Sequence, residues 1–110
     1  MIGKHILADF FGCAYNLNDS HKLELHLRYA AKLSGSQVVH SYTHKFSPHG
    51  CSVTLVLAES HLTIHTWPES GSAAVDMYTC GLARPDIGVS FLSFILQPSR
   101  KSVREFIRGY

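Results

Sequence analysis

Residues 61 to 67, His-Leu-Thr-Ile-His-Thr-Trp, alternate strictly along the chain, and that alternation limits the fold more than any other stretch does. A period of two sends Leu62 and Ile64 to one side and His61, Thr63, His65 and Trp67 to the other, which suits a strand with a single face in the core. With the flanking Glu59-Ser60 and Pro68-Glu69, the eleven residues from 59 to 69 carry a hydroxyl nucleophile, two imidazoles and two carboxylates. So many proton-handling groups on one short element ask for chemistry.

The alternation also bears on two questions of geometry. His61-x-x-x-His65 is the spacing at which two histidines share a zinc ion on a helix. On a strand the imidazoles stand four steps of ~3.3 Å apart, about 13 Å, whereas zinc holds its ligands at ~2 Å, so no metal is expected. Parity further puts Ser60 and His65 on opposite faces of a straight strand. Either the chain twists at Ser60, or His65 serves the serine of a neighbouring copy.

Around this run the chain reads as a series of short elements. Ile2 to Gly12 contains Ile6, Leu7, Ala8, Phe10 and Phe11 with few breakers and reads as a first strand. Asn18, Asp19 and Ser20 offer N-cap oxygens to a helix in which Leu23, Leu27, Ala30 and Ala31 recur at helical spacing until Gly35. Residues 37–46 and 51–58, rich in Val, Thr, Tyr and Leu, flank Ser47-Pro48-His49-Gly50 in the manner of a hairpin. Residues 72–80 form another strand and 81–85 a loop. Asp86 is expected to cap a second helix with Ile87, Phe91, Phe94 and Ile95 on one face, although Val89 also permits an alternating strand; Pro98 ends it, and Lys101 to Ile107 make a last strand. The order β-α-β-β-β-β-α-β predicts a single α+β domain over residues 1–110, a largely antiparallel sheet with two helices packed on one face. The other sheet face then needs either a polar surface or a partner.

Composition narrows the function classes. The 110 residues, 45% hydrophobic and 16% charged, have an ordinary globular balance. A net charge of +2 is small, and Arg100, Lys101 and Arg104 form the only basic cluster, so neither nucleic acid nor an anionic membrane is an expected partner. Three cysteines without a C-x-x-C pair point to a reducing compartment, and no run approaches the ~20 apolar residues of a membrane span. A cytoplasmic location is the expectation.

Gly3-Lys4-His5, His44-Lys45-Phe46-Ser47-Pro48, the run from Glu59 to Glu69, Tyr78-Thr79-Cys80-Gly81, Val103-Arg104-Glu105 and Arg108-Gly109 together resemble the prokaryotic S-adenosylmethionine decarboxylases. These are pyruvoyl enzymes that make their cofactor from an internal serine. The resemblance implies self-cleavage between Glu59 and Ser60, which leaves residue 60 as a covalently bound pyruvoyl group. His65 would remove the Ser60 Cα proton, Ser52 would help hold the oxyoxazolidine intermediate, and Cys80 would return a proton after carbon dioxide departs. Phe46 and Glu69 match positions that bind S-adenosylmethionine, through its adenine and its ribose hydroxyls. The family also implies a homodimer, with Ser60 and Cys80 from one protomer and Phe46, Ser52, His65 and Glu69 from the other, and a role in spermidine (polyamine) synthesis.

Two places depart from the family pattern: Ser70 and Ser72 flank Gly71 where an aromatic residue is expected, and His49 precedes Gly50. Ser70 and Ser72 keep open an alternative, a pyruvoyl decarboxylase of another amino acid such as ornithine or arginine on the same scaffold. An inactive regulatory homologue is a second alternative, against which stands the joint presence of Ser52, Ser60, His65 and Cys80.

Overall fold

The computed structural model describes residues 2–109. Across them the chain forms β1 (Ile2–Phe11), α1 (Ser20–Leu33), β2 (Val38–Lys45), β3 (Cys51–Leu57), β4 (Ser60–Trp67), a 3-10 turn (Pro68–Ser70), β5 (Ser72–Cys80), α2 (Pro85–Leu96) and β6 (Arg100–Gly109). The strands make one antiparallel sheet in the spatial order β2-β3-β4-β5-β1-β6. Both helices cover the same face, the α+β architecture that the element order predicts. None of the described helices is long and apolar enough to cross a membrane.

The core follows from the alternation. Ile6, Ala8 and Phe10 of β1, Val53, Leu55 and Leu57 of β3, Leu62 and Ile64 of β4, and Val75 and Met77 of β5 are all at most 3% exposed. They meet Leu23, Leu27, Ala30 and Ala31 of α1, the periodic residues of the sequence, in one hydrophobic cluster. Asp19 starts α1 by accepting from the Lys22 amide at 3.1 Å, and Gly35, at a φ of 83°, leaves the helix axis just past it. Leu62→Ala is expected to lower the unfolding free energy in urea by about 2–5 kcal/mol, because Leu62 is wholly enclosed. Thr63→Ala, one residue along on the opposite face, is expected to change it by no more than about 0.5 kcal/mol. Equal effects at the two positions would contradict this orientation of β4.

The second helix differs from its expected form in two ways. Its buried face consists of Pro85, Gly88, Val89, Leu92 and Leu96, while Ile87 and Phe94 are exposed. The segment is apolar on nearly every side, so periodicity alone admits more than one face, and close packing selects among them. A Cβ at Gly88 would lie 2.9 Å from the Ala30 carbonyl oxygen of α1, so the bare glycine is what lets the helices approach there. Asp86 does not cap the helix either: Arg84 is the N-cap residue, Pro85 fills the first position, and Asp86 sits inside the first turn, accepting from Arg84 at 2.9 and 3.1 Å.

Polar contacts fix the β2-β3 hairpin against α1. Glu24 accepts from Ser41 at 2.8 Å, from Arg28 at 3.0 Å and from Thr43 at 3.3 Å. The Ser41 hydroxyl, followed by Arg28, holds this carboxyl below the ordinary carboxylate range. The uncovered sheet face is mixed rather than apolar. Register places His5, Leu7 and Asp9 of β1 beside Tyr78, Asp76 and Ala74 of β5, and beside Phe106, Arg104 and Ser102 of β6.

Candidate active site

Four of the residues singled out in the sequence share one cavity. Phe46, Ser52, His65 and Glu69 line a space of ≈ 380 Å³ at one end of β3 and β4, together with His49 and Trp67. Ser52 and His65 are direct cross-strand partners, and Ser52 Oγ lies 2.6 Å from His65 Nδ1. Phe46 begins the hairpin loop, which closes through its amide donating to the Gly50 carbonyl at 2.8 Å. Gly50, at a φ of 100°, donates its own amide to Asn18 Oδ1 at 2.8 Å, so the loop is tied to the segment that starts α1. Below the cavity, buried Thr66 accepts from the Cys51 amide at 3.0 Å and donates to the Leu17 carbonyl at 2.9 Å. The wall that carries His65 is thereby braced from the core side.

Glu69 stands on the 3-10 turn, and His49 Nε2 is 3.1 Å from its Oε2. His49 thus contacts the carboxylate of Glu69, the residue expected to bind substrate, a contact that its position before Gly50 did not disclose. Trp67 also lines the cavity and is 48% exposed. The strand alternation already put it on the same face as His65. Ser70 and Ser72 bond to each other, Oγ to Oγ at 3.1 Å, and neither is among the described residues that line the cavity.

The remaining predicted residues gather at the other end of β4. Glu59 occupies the turn between β3 and β4 with a φ of 61°, an unfavourable conformation for a residue with a side chain. Ser60 opens β4 immediately after it. The Cys80 Sγ, at the end of β5, lies 3.4 Å from the Glu59 carbonyl oxygen, to which its one S–H can donate, and 3.6 Å from the Tyr78 hydroxyl. A donor on that carbonyl and a hydroxyl one residue further on are the components of an acyl shift. Ser60 and His65 are five steps of ~3.3 Å apart on β4, about 16 Å, and point to opposite faces, so one chain does not unite them.

His61 does not approach His65, but it does meet other side chains of the open face. Its Nε2 is 3.5 Å from Asp76 Oδ2, while His5 Nε2 contacts Asp76 Oδ1. These three side chains offer ligand atoms within 4.8 Å of one another, a grouping across three strands that no local spacing reveals. Arg108 Nη1, which can only donate, is 3.2 Å from His5 Nδ1. That contact makes Nδ1 an acceptor and puts the His5 proton on Nε2, directed at Asp76. The three side chains form a polar network that spans β1, β4 and β5.

The six-stranded sheet with both helices on one face and its two separate clusters of proton-handling side chains mark a protein of the decarboxylase proenzyme class. The sequence pattern of S-adenosylmethionine decarboxylase matches residues 4–109, and the chain belongs to that family. The S-adenosylmethionine decarboxylase proenzyme 2 of Bacillus anthracis is 46% identical over 109 residues, which cover 97% of this chain and 89% of that protein. The S-adenosylmethionine decarboxylase proenzyme of Fervidobacterium nodosum is 44% identical over 110 residues, covering 98% of this chain and 80% of the relative. The crystal structure of the adenosylmethionine decarboxylase from Aquifex aeolicus superposes with a TM-score of 0.91 at 34% identity, covering 99% of this chain and 92% of that one. A Trypanosoma brucei AdoMetDC-delta26 monomer shares the fold with a TM-score of 0.68 at 18% identity, over 91% of this chain and 44% of its own.

Proposed function

We propose that the chain is a proenzyme that cleaves itself between Glu59 and Ser60 and then decarboxylates S-adenosylmethionine, supplying the aminopropyl donor for spermidine and other polyamines. The observation that carries this reading is the Cys80 thiol 3.4 Å from the Glu59 carbonyl oxygen, with Ser60 next in the chain. In the first step the Ser60 Oγ bonds to the Glu59 carbonyl carbon as the peptide C–N bond breaks. The hydroxyl proton ends on the Ser60 nitrogen, and the amide has become an ester. Removal of the Ser60 Cα proton then expels the Glu59 carboxylate by β-elimination, and hydrolysis of the resulting dehydroalanine releases ammonia and leaves a pyruvoyl group at residue 60.

The chain's own residues suit that sequence. Ser60 shares the parity of buried Leu62, so its side chain is directed toward the helices and its Cα–H away from them, toward the uncovered face. A second copy docked on that face would bring its His65 to this proton and its Ser52 alongside. With the Nδ1 proton directed at Ser52 Oγ, His65 keeps a lone pair on Nε2, the tautomer a base requires. The homodimer is therefore part of the proposal: Ser60 and Cys80 of one copy facing Phe46, Ser52, His65 and Glu69 of the other. The pyruvoyl carbonyl supplies an electron sink for the pair left when carbon dioxide departs. Cys80 is the proton source at that position, Phe46 offers a flat face to an adenine, and Glu69 accepts from ribose hydroxyls while its charge favours a sulfonium nearby. The free thiols Cys13, Cys51 and Cys80 suit a cytoplasmic enzyme.

The test is carbon dioxide release from S-adenosylmethionine, ornithine and arginine, assayed side by side on protein shown by mass spectrometry to be fully cleaved. Only S-adenosylmethionine is expected to turn over, and a clear preference for either free amino acid would overturn the substrate assignment. Glu69→Gln keeps the shape but removes a charged acceptor, so kcat/KM is expected to fall about 10- to 150-fold with cleavage preserved.

A further inference from the structure

Thr79 is 0% exposed, and its Oγ1 has no hydrogen-bond partner among the described residues. Native chains pair nearly all of their buried hydroxyls, so an exception asks for a reason. The sheet register supplies one. β4 and β5 pair with Leu62 opposite Met77 and His61 opposite Tyr78, and carrying that register one residue further sets Ser60 opposite Thr79. Ser60 has the parity of buried Leu62 and Ile64, and Thr79 that of buried Val75 and Met77. The two hydroxyls therefore project to the same helix-side face from adjacent strands. Directly opposed residues have Cβ atoms about 4.5–5.5 Å apart, a gap that two hydroxyls can close by rotation about χ1.

We infer that Thr79 is a positioning residue for self-cleavage, accepting the hydrogen bond of the Ser60 hydroxyl and aiming its Oγ at the Glu59 carbonyl carbon. The inference rests on the self-processing reading above. It adds a second contact at the scissile peptide: the Cys80 thiol engages the carbonyl oxygen at 3.4 Å from the uncovered face, while Thr79 orients the nucleophile from the helix side. In the step served, one C–O bond forms, one C–N bond breaks and the hydroxyl proton moves to the Ser60 nitrogen, with no outside reagent. A merely structural position would not need the oxygen, since valine fills the same volume and removes an unpaired polar atom from the core.

The experiment follows cleavage of the full-length precursor over time by denaturing gel and mass spectrometry, with thermal unfolding recorded for each variant. Thr79→Val is expected to cleave at least about tenfold more slowly than the wild type, with a thermal midpoint equal or higher. Thr79→Ser, which keeps the hydroxyl, is expected to cleave within about threefold of the wild-type rate. Thr79→Val cleaving at the wild-type rate overturns the inference and leaves the self-processing reading standing. Should Thr79→Val fail to fold, Thr79→Ser and Thr79→Ala decide, since both lose the methyl group and only one keeps the oxygen. A roughly tenfold advantage of Ser over Ala supports the role, and equal rates overturn it. A wild type that never cleaves sinks the self-processing reading itself.

Discussion

Ser60→Ala is expected to remain one chain of 110 residues under conditions in which the wild type separates fully into residues 1–59 and 60–110. Removing Oγ takes away the hydroxyl that follows the Glu59 carbonyl in the chain, the nucleophile of the acyl shift. The thiol of Cys80 still polarises the carbonyl, but polarisation without an attacking atom does not break an amide. Stability should hardly change, because Ser60 is half-buried at a strand end and makes none of the core contacts. Mass spectrometry reads both species directly, and the second fragment of the wild type should begin with a pyruvoyl group in place of an amine. Decarboxylase activity should vanish with the cleavage. A wild type that stays intact yet turns over substrate would rule out residue 60 as the source of the cofactor.

His65→Ala is expected to stop one step later. Attack by Ser60 does not call on His65, so the ester still forms, but without a base the Cα proton stays in place and elimination slows by about 10²- to 10⁴-fold. Hydroxylamine should release residues 1–59 from the trapped ester within minutes, whereas Ser60→Ala should resist it. The 16 Å, roughly, between Ser60 and His65 along β4 makes a sharper forecast possible. Mixing His65→Ala chains with Ser60→Ala chains and allowing the subunits to exchange should restore cleavage of the chains that retain Ser60, because their partner supplies the missing imidazole. Cleavage of isolated His65→Ala at the wild-type rate would remove His65 from the role. Failure of the mixture after demonstrated exchange would instead argue against a site shared between copies.

A large part of the fold was legible because it depends on local periodicity. The alternation in residues 61–67 announced β4, its buried side and the impossibility of a zinc ion shared by His61 and His65. The helical spacing of Leu23, Leu27, Ala30 and Ala31, bounded by Asp19 and Gly35, announced α1. The second helix was legible in its existence and not in its orientation, since a segment apolar on nearly every side carries too little contrast for periodicity to choose a face. There the choice came from Gly88, where the absence of a side chain admits the Ala30 carbonyl.

By itself, the order of residues determined the strands, the first helix and the parity that separates Ser60 from His65, while Phe46, Ser52 and Glu69 were named through the family resemblance. The tertiary structure alone decided which distant strands became neighbours. It set β1 between β5 and β6, and so joined His5 to Asp76, 71 residues away, and to Arg108, 103 residues away. It also brought His49 onto Glu69 and left the buried Thr79 hydroxyl with no hydrogen-bond partner among the described residues. The physical reason is that periodicity records which side of an element meets the core, a property of a few consecutive residues. Cross-strand partnership records which element lies alongside, and that is settled only when the whole sheet closes over its core.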